Sequence, residues 1–228
     1  MVYLILDMKP LSLILIVLTP IVIFLSVLQF VALNQSWYER QFVIHNTYEE
    51  LGQTRVKQQT VNLFAFLKNT EPLTTSFYTE RERVHLADVK KLYQLSLGVI
   101  ALLFGVWVVC LALLIRNNRE ALASVLIRGG GAALLTYSIA GAIAYLAFDQ
   151  IFLLFHQMIF SNDFWQLNPA TEKLIVLFPP ELFAVLLIRA ALLSVGLALL
   201  LFMLAGLARY SHRITAFLVC IWHSNNHT

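Results

Sequence analysis

Residues 95–115 read LSLGVIALLFGVWVVCLALLI, twenty-one consecutive positions without a charge. A helix that crosses a bilayer core of about 30 Å needs about 20 mostly apolar residues. Outward from this stretch, three more qualify. Leu11 to Leu33 is uncharged, with Pro20 midway and Gln29 near its end. Gly129 to Phe148 is uncharged and opens on Gly129-Gly130-Gly131. Leu182 to Leu207 holds a single charge, Arg189. Pro20 removes one backbone donor and is expected to kink its helix. The first stretch is longer than a signal-peptide core of about 7–15 residues, and no A-x-A site follows it, so it reads as an uncleaved anchor.

Composition agrees. The 228-residue chain is 59% hydrophobic and 13% charged, with mean hydropathy +0.75. Soluble domains are about 45–50% apolar and about 25% charged. These values exclude a disordered chain and an ordinary cytosolic enzyme. Cys110 and Cys220 give neither a disulfide framework nor a CxxC pair. A net charge of +3, scattered along the chain, gives no footing for nucleic acid. The expected fold class is an all-α membrane protein with four transmembrane helices and an extracellular cap formed mainly by the first outer loop.

Basic residues set the expected orientation. Lys9 precedes the first span, Arg116, Arg119 and Arg128 lie between the second and third, and Arg209 and Arg213 follow the fourth. The loop 149–181 holds only Lys173. The positive-inside rule then puts both termini and loop 116–128 in the cytoplasm. The expected organisation is span 11–33, cap 34–94, span 95–115, inner loop 116–128, span 129–148, second outer loop 149–181, span 182–207 and inner tail 208–228. Within the cap, Trp37 to Ile44 reads as a strand or a short interfacial helix, Thr54 to Lys68 as a helix, and 71–76 as a loop. Thr79-Glu80-Arg81-Glu82 fits a T-x-x-E capping box that opens a helix running toward the second span.

Six histidines are present. His212, His223 and His227 fall in the inner tail and His45 in the cap. His85 and His156 come from separate outer loops, each near the edge of its span. Two imidazoles at one interface suit a general base and a general acid, because unperturbed histidine titrates near 6.5; two unrelated surface histidines are the plain alternative. Asp88, three residues after His85, can orient it or pair with Lys91. Asp149 shares a face with His156 if the third helix continues outward, and supports it or merely ends the span. Arg189 sits roughly 10 Å into its span at 1.5 Å per residue. An ionisable residue at that depth is a functional hypothesis by default. It can hold a phosphate or a carbonyl, pair with Asp149, or snorkel outward. No HExxH, Cys-His cluster, GxSxG or P-loop occurs, so neither a metal nor a cofactor is expected.

The stretch Tyr78-Thr-Glu-Arg-Glu-Arg-Val-His85-Leu-Ala-Asp88-Val-Lys90 resembles the first motif of the bacterial lipoprotein intramolecular transacylases, Lit. Phe155-His156, Trp165 and Leu177-Phe-Pro179-Pro-Glu181-Leu-Phe183 resemble the second, and the four-helix topology resembles that family over the whole chain. The resemblance implies an acyltransferase of the bacterial cell membrane acting on diacylated lipoproteins. Such enzymes move the sn-2 acyl chain of a diacylglyceryl-cysteine onto the cysteine's own α-amino group, leaving a lyso-form lipoprotein. It implies His85 and His156 as catalytic residues on the extracellular side. Asp88 and Asp149 would support them, and Trp37, Tyr78, Trp165 and Arg189 would bind substrate. His85, helped by Asp88, would take the amine proton and His156 would serve the leaving oxygen or the oxyanion, or the two would exchange roles. A non-enzymatic tetraspan protein whose cap is a sensor or partner-binding module, a small channel and a membrane hydrolase are the competing readings.

Overall fold

A computed structural model of the chain describes residues 8–74 and 76–225; Thr75 of the 71–76 loop and His227 of the tail lie outside them. The described residues form α1 (Met8–Ala32), α2 (Gln35–Ile44), α3 (Thr47–Leu51), α4 (Gln53–Leu67), α5 (Glu80–Asn117), α6 (Arg119–Leu146), α7 (Phe148–Ile159), α8 (Lys173–Leu177) and α9 (Pro180–Asn225), with no strand among them. The fold is all-α, and α1, α5, α6 and α9 contain four segments long and apolar enough to cross a membrane.

At 38 residues, α5 is about 57 Å long at 1.5 Å per residue. That is nearly twice the hydrocarbon thickness. Its N-terminal part, Glu80 to Gln94, carries Glu80, Arg81, Glu82, Arg83, Asp88, Lys90 and Lys91, and the uncharged run starts at Leu95. The uncharged run of α5 therefore begins at Leu95, and His85 lies in the charged part that precedes it.

Of the two alternatives left open for Trp37 to Ile44, the structure takes the helix: the Asn34 side chain accepts the Trp37 N–H at 3.0 Å, and the buried Trp37, Tyr38, Gln41 and Phe42 recur at helical spacing. Other elements differ from the sequence expectation for identifiable reasons. Residues 116–128 are almost wholly helix, because α5 and α6 are separated only by Asn118, whose side chain accepts the Ala121 N–H at 3.1 Å. The glycine run lies inside α6 rather than at its start. A Cβ at Gly129 would come within 3.0 Å of the Thr19 hydroxyl, and one at Gly130 within 3.3 Å of Phe202. The third long helix stops at Leu146, Ala147 breaks it, and α7 begins anew at Phe148. Residues 208–225 continue α9.

The chain packs as two compact units. One comprises the N-terminal stretch up to Leu25, Leu102–Ile139 and the stretch from Ala191 on. Its core joins Leu15, Cys110, Leu114 and Val125, with Ala133, Tyr137 and Ala198 in a second cluster. Thr19 ties three helices together: it donates to the Leu15 carbonyl at 2.7 Å, accepts the Trp107 indole N–H at 3.1 Å and packs on Gly129. Tyr137 donates to the Pro20 carbonyl at 2.6 Å. Its hydroxyl thus enters the α1 ladder just past the proline.

The other unit comprises Ser26–Ala101 and Ala140–Ala190. Gln29 donates to Ser96, linking the end of α1 to α5. The rings of Tyr38, Phe42, Phe64 and Phe178 form an aromatic core with centroids 5.1–6.4 Å apart. Here α3 packs on α2, α4 and α8. The Asn62 amide takes the Thr74 N–H at 2.7 Å and donates to the Pro72 carbonyl at 3.0 Å, fastening the loop after α4.

Candidate active site

The first turns of α5 position His85. Thr79 and Glu82 form the expected capping box: the Glu82 carboxylate accepts the Thr79 N–H at 2.6 Å, and the Thr79 hydroxyl accepts the Glu82 N–H at 3.3 Å. Glu82 is fully buried, and its second oxygen accepts the Leu174 N–H at 2.5 Å. Arg81, His85 and Asp88 share one helical face at i, i+4 and i+7. Arg81 donates to the Asp163 carbonyl, lies 3.9 Å from the Glu172 carboxylate and sits over the Phe164 ring at 5.7 Å. Glu172 in turn accepts the Asn168 N–H at 2.6 Å. Asp88 accepts from Lys91 and from the Asn162 amide, each at 2.9 Å. The start of α5 therefore grips the segment between Phe160 and Leu174 through three side chains.

His156 comes from α7, whose apolar residues Leu153, Leu154, Phe155, Met158 and Ile159 are exposed while His156 points inward. Its Nδ1 donates to the Phe152 carbonyl at 2.7 Å. A carbonyl only accepts, so Nδ1 carries the proton of the neutral ring and Nε2 is the free basic atom.

The two imidazoles meet. Their centroids are 6.1 Å apart, and His85 and His156 are only 7% and 8% exposed. Phe160 lies 5.0 Å from His85 and 5.5 Å from His156, and Phe152 and Trp165 lie 4.2 and 5.1 Å from His156. The Nδ1 of His85 has no hydrogen-bond partner. Burial, reinforced by the neighbouring His156 and opposed by Asp88, lowers the His85 pKa to about 4. Burial also lowers that of His156, against the opposing bond to the Phe152 carbonyl. The Lys91 and Asn162 hydrogen bonds hold the Asp88 carboxyl below its usual range. The site is a pair of neutral imidazoles in an aromatic enclosure, able to accept a proton at one ring and donate one at the other.

The remaining expected residues are distributed as follows. Trp165 packs on His156. Tyr78 is buried against Phe77, with its hydroxyl unpartnered and its pKa raised by burial and by Glu82. Trp37 is buried in the aromatic core, and the Arg189 guanidinium lies over its ring at 5.3 Å. One Arg189 nitrogen, Nη1, is buried without a partner. Asp149, at the start of α7, is exposed, whereas His156 seven residues on is buried. Among the described residues no group of three or more His, Cys, Asp or Glu is arranged to hold a metal ion. Phe152, Phe160, Asn162, Arg81 and Glu172 were not apparent as site residues from sequence. The available signal was the shared face of Arg81, His85 and Asp88, two charges flanking a histidine at helical spacing.

A family model described as lipoprotein intramolecular transacylase Lit matches residues 13–183. A comparison with curated proteins finds no match. Among solved structures, the chain is similar to the membrane-integral lipoprotein intramolecular transacylase Lit from Bacillus cereus, with a TM-score of 0.81 at 20% identity, over 91% of this chain and 98% of that one. Two structures of that protein with a single histidine replaced, by arginine or by alanine, give TM-scores of 0.76 and 0.75 at 20% and 21% identity. They cover 91% of this chain and 94% and 96% of theirs. The shared architecture is that of a multi-pass membrane protein, and the family match runs from the first apolar helix into the last. The chain belongs to the lipoprotein intramolecular transacylase Lit family and is an enzyme of that class.

Proposed function

We propose that this enzyme moves the sn-2 acyl chain of a diacylglyceryl-cysteine lipoprotein onto the α-amino group of the same cysteine, with His85 and His156 as its catalytic pair. Residues 34–94 form an extracellular cap, both termini are cytoplasmic, and the site opens on the outer side of the bacterial cell membrane. The basic residues flanking the spans support that orientation. The observation that carries the chemistry is the approach of two buried imidazoles to 6.1 Å, one of them with its tautomer fixed.

Donor ester and acceptor amine belong to one molecule, so the protein's main task is to fold a flexible headgroup into attack geometry. Good orientation is worth up to about 7–11 kcal/mol in intramolecular reactions. The α-amine, with a pKa of about 7.7–8.0, enters in its neutral form. As its nitrogen attacks the sn-2 carbonyl, Nε2 of His156 takes the amine proton. A ring N–H of His85 donates to the developing oxyanion. The tetrahedral intermediate then collapses: the bond to the glycerol oxygen breaks, and Nε2 of His156 returns its proton to that oxygen. An amide has replaced an ester and both rings end as they began. This assigns the base to His156, the exchanged form of the sequence expectation, because Asp88 is engaged by Lys91 and Asn162.

Trp165 walls the site, and Tyr78, Trp37 and Arg189 contact the diacylglyceryl group, the unpartnered nitrogen of Arg189 facing an ester carbonyl. Asp149 supports His156 indirectly: a carboxylate in the first turn of α7 favours the positive end of that helix. Water excluded from the enclosure would otherwise divert the acyl group to hydrolysis.

The test is reconstitution of the purified protein with a synthetic diacylglyceryl-cysteinyl lipopeptide, followed by tandem mass spectrometry. The expected product carries one acyl chain on glycerol and one on the α-amine. His85→Ala and His156→Ala, each folded in detergent, are expected to yield none. Product from either variant at the native rate overturns the assignment of that histidine. Release of free fatty acid without N-acylation by the native protein overturns the transfer itself.

A further inference from the structure

Asp88 looks at first like a partner for His85, three residues before it on α5, yet its hydrogen bonds lead elsewhere. One oxygen accepts from Lys91 and the other from the Asn162 amide, a residue 74 positions away. Asn162 is committed at both ends. Its Nδ2 donates to Asp88 at 2.9 Å and its Oδ1 accepts the Phe164 N–H at 3.0 Å, which closes a turn. That turn lies between Phe160 and Trp165, the two rings that connect this loop to the imidazoles: Phe160 touches both histidines and Trp165 packs on His156.

We propose that Asp88 and Asn162 are a positioning pair that holds the 160–165 loop, and through it the Phe160 and Trp165 rings, in place over the two imidazoles. The proposal rests on the acid–base role given to His85 and His156. It makes Asp88 a residue that acts on the site through a loop, and it gives Asn162 a function that no motif indicates.

A reciprocal exchange separates this role from that of a negative charge beside His85. Asp88→Asn alone leaves one acceptor oxygen for two donors, so that its NH2 must face either Lys91 or the amide of Asn162. Asn162→Asp alone sets two carboxylates against each other. The double variant restores every bond with its direction reversed across the pair. The side chain at 88 then donates from its amide and still accepts from Lys91, while the side chain at 162 accepts from it and from the Phe164 N–H. The charge, however, has moved from α5 to the loop.

N-acylation of the lipopeptide is measured for the two single variants and the double variant, with thermal unfolding of each in detergent and a pH profile of the double variant. Each single variant is expected to lose about 10- to 100-fold in turnover, as small misplacements of a site do. The double variant is expected to return to within about threefold of the native rate with an unchanged pH profile. If a single variant does not fold, a folded and active double variant still supports the proposal, and a folded but inactive one overturns it. A double variant no better than the worse single one, or single variants at the native rate, overturns it as well. His85→Ala and His156→Ala run alongside: if either stays active, the catalytic pair itself is wrong, whereas inactive histidine variants with no rescue condemn only the positioning role.

Discussion

Glu82→Ala is expected to lower stability sharply. Glu82 is completely buried, and its two oxygens accept N–H groups from Thr79 and from Leu174 in α8. The Thr79 half is a helix cap on an exposed residue, worth about 0.5–2 kcal/mol. The Leu174 half is a charge-assisted bond to a buried amide in a short helix, and leaving that N–H unsatisfied costs about 1–3 kcal/mol. Removing the carboxylate also relieves its own desolvation, so the net loss is about 2–4 kcal/mol. For a chain of this size that is a fall in Tm of about 4–16 °C. Glu82→Gln keeps one acceptor oxygen and is expected to lose about half as much. Thermal unfolding of detergent-purified protein, followed by tryptophan fluorescence, reads the shift, and limited proteolysis of residues 161–172 reads the release of the segment. A fall of less than about 2 °C for the alanine variant refutes the two-sided tie.

Two further outcomes are expected. The rate should rise with pH to an inflection set by the substrate α-amine, about 7.7–8.0, with none near 6.5, because burial keeps both imidazoles neutral there, His85 down to about 4. Since these folded-state values lie below the unfolded ones, the unfolded chain binds more protons below pH 6.5, and stability should be intact above that value and decline as pH falls from it toward 4; a rate profile that breaks near 6.5 counts against neutral rings. Gly129→Leu, whose Cβ would meet the Thr19 hydroxyl at 3.0 Å, should cost about 1–3 kcal/mol of stability in unfolding experiments, with part of the loss recovered by adding Thr19→Ala.

What could be read from the sequence follows the range of the interactions. Spans depend on runs of about 20 apolar residues, and the Thr79–Glu82 cap on a spacing of three, so both were visible locally. The second use of Glu82, its bond to Leu174 across 92 residues, carries no local signal. Arg189 was legible as the single charge in an apolar run, but its contact with Trp37 depends on tertiary packing. Residues 37–44 were ambiguous because their apolar positions fit either period, and the Asn34 cap tips them to helix. Arg116, Arg119 and Arg128 read as an inner loop because charge marks the edge of a span, yet a charged segment can equally be helix, and here it forms the end of α5 and the first part of α6. Asp149 and His156 share a helix as spacing suggested, but α7 is a new helix after Ala147, and its first turn faces outward.

One ring orientation decides more of the chemistry than any other detail of the site. Had His156 pointed Nε2 at the Phe152 carbonyl, its free atom would be Nδ1, on the backbone side of the ring, where a substrate headgroup fits less readily. On the proposed mechanism, with Nδ1 committed, Nε2 both receives the amine proton and returns it to the glycerol oxygen, since no other basic atom remains on that ring. Amine nitrogen and leaving oxygen must then lie on one side of the carbonyl carbon, within reach of the same atom. An intramolecular donor makes that possible: the cysteine amine and the glycerol oxygen are joined by a few rotatable bonds, so a single folded conformer brings both to Nε2. A separate acceptor amine would have to be bound and aligned independently. On this assignment the enclosure of Phe152, Phe160 and Trp165 around His156 acts as a mould for that conformer, and the loop bearing two of those rings is held by Arg81 and Asp88 on α5.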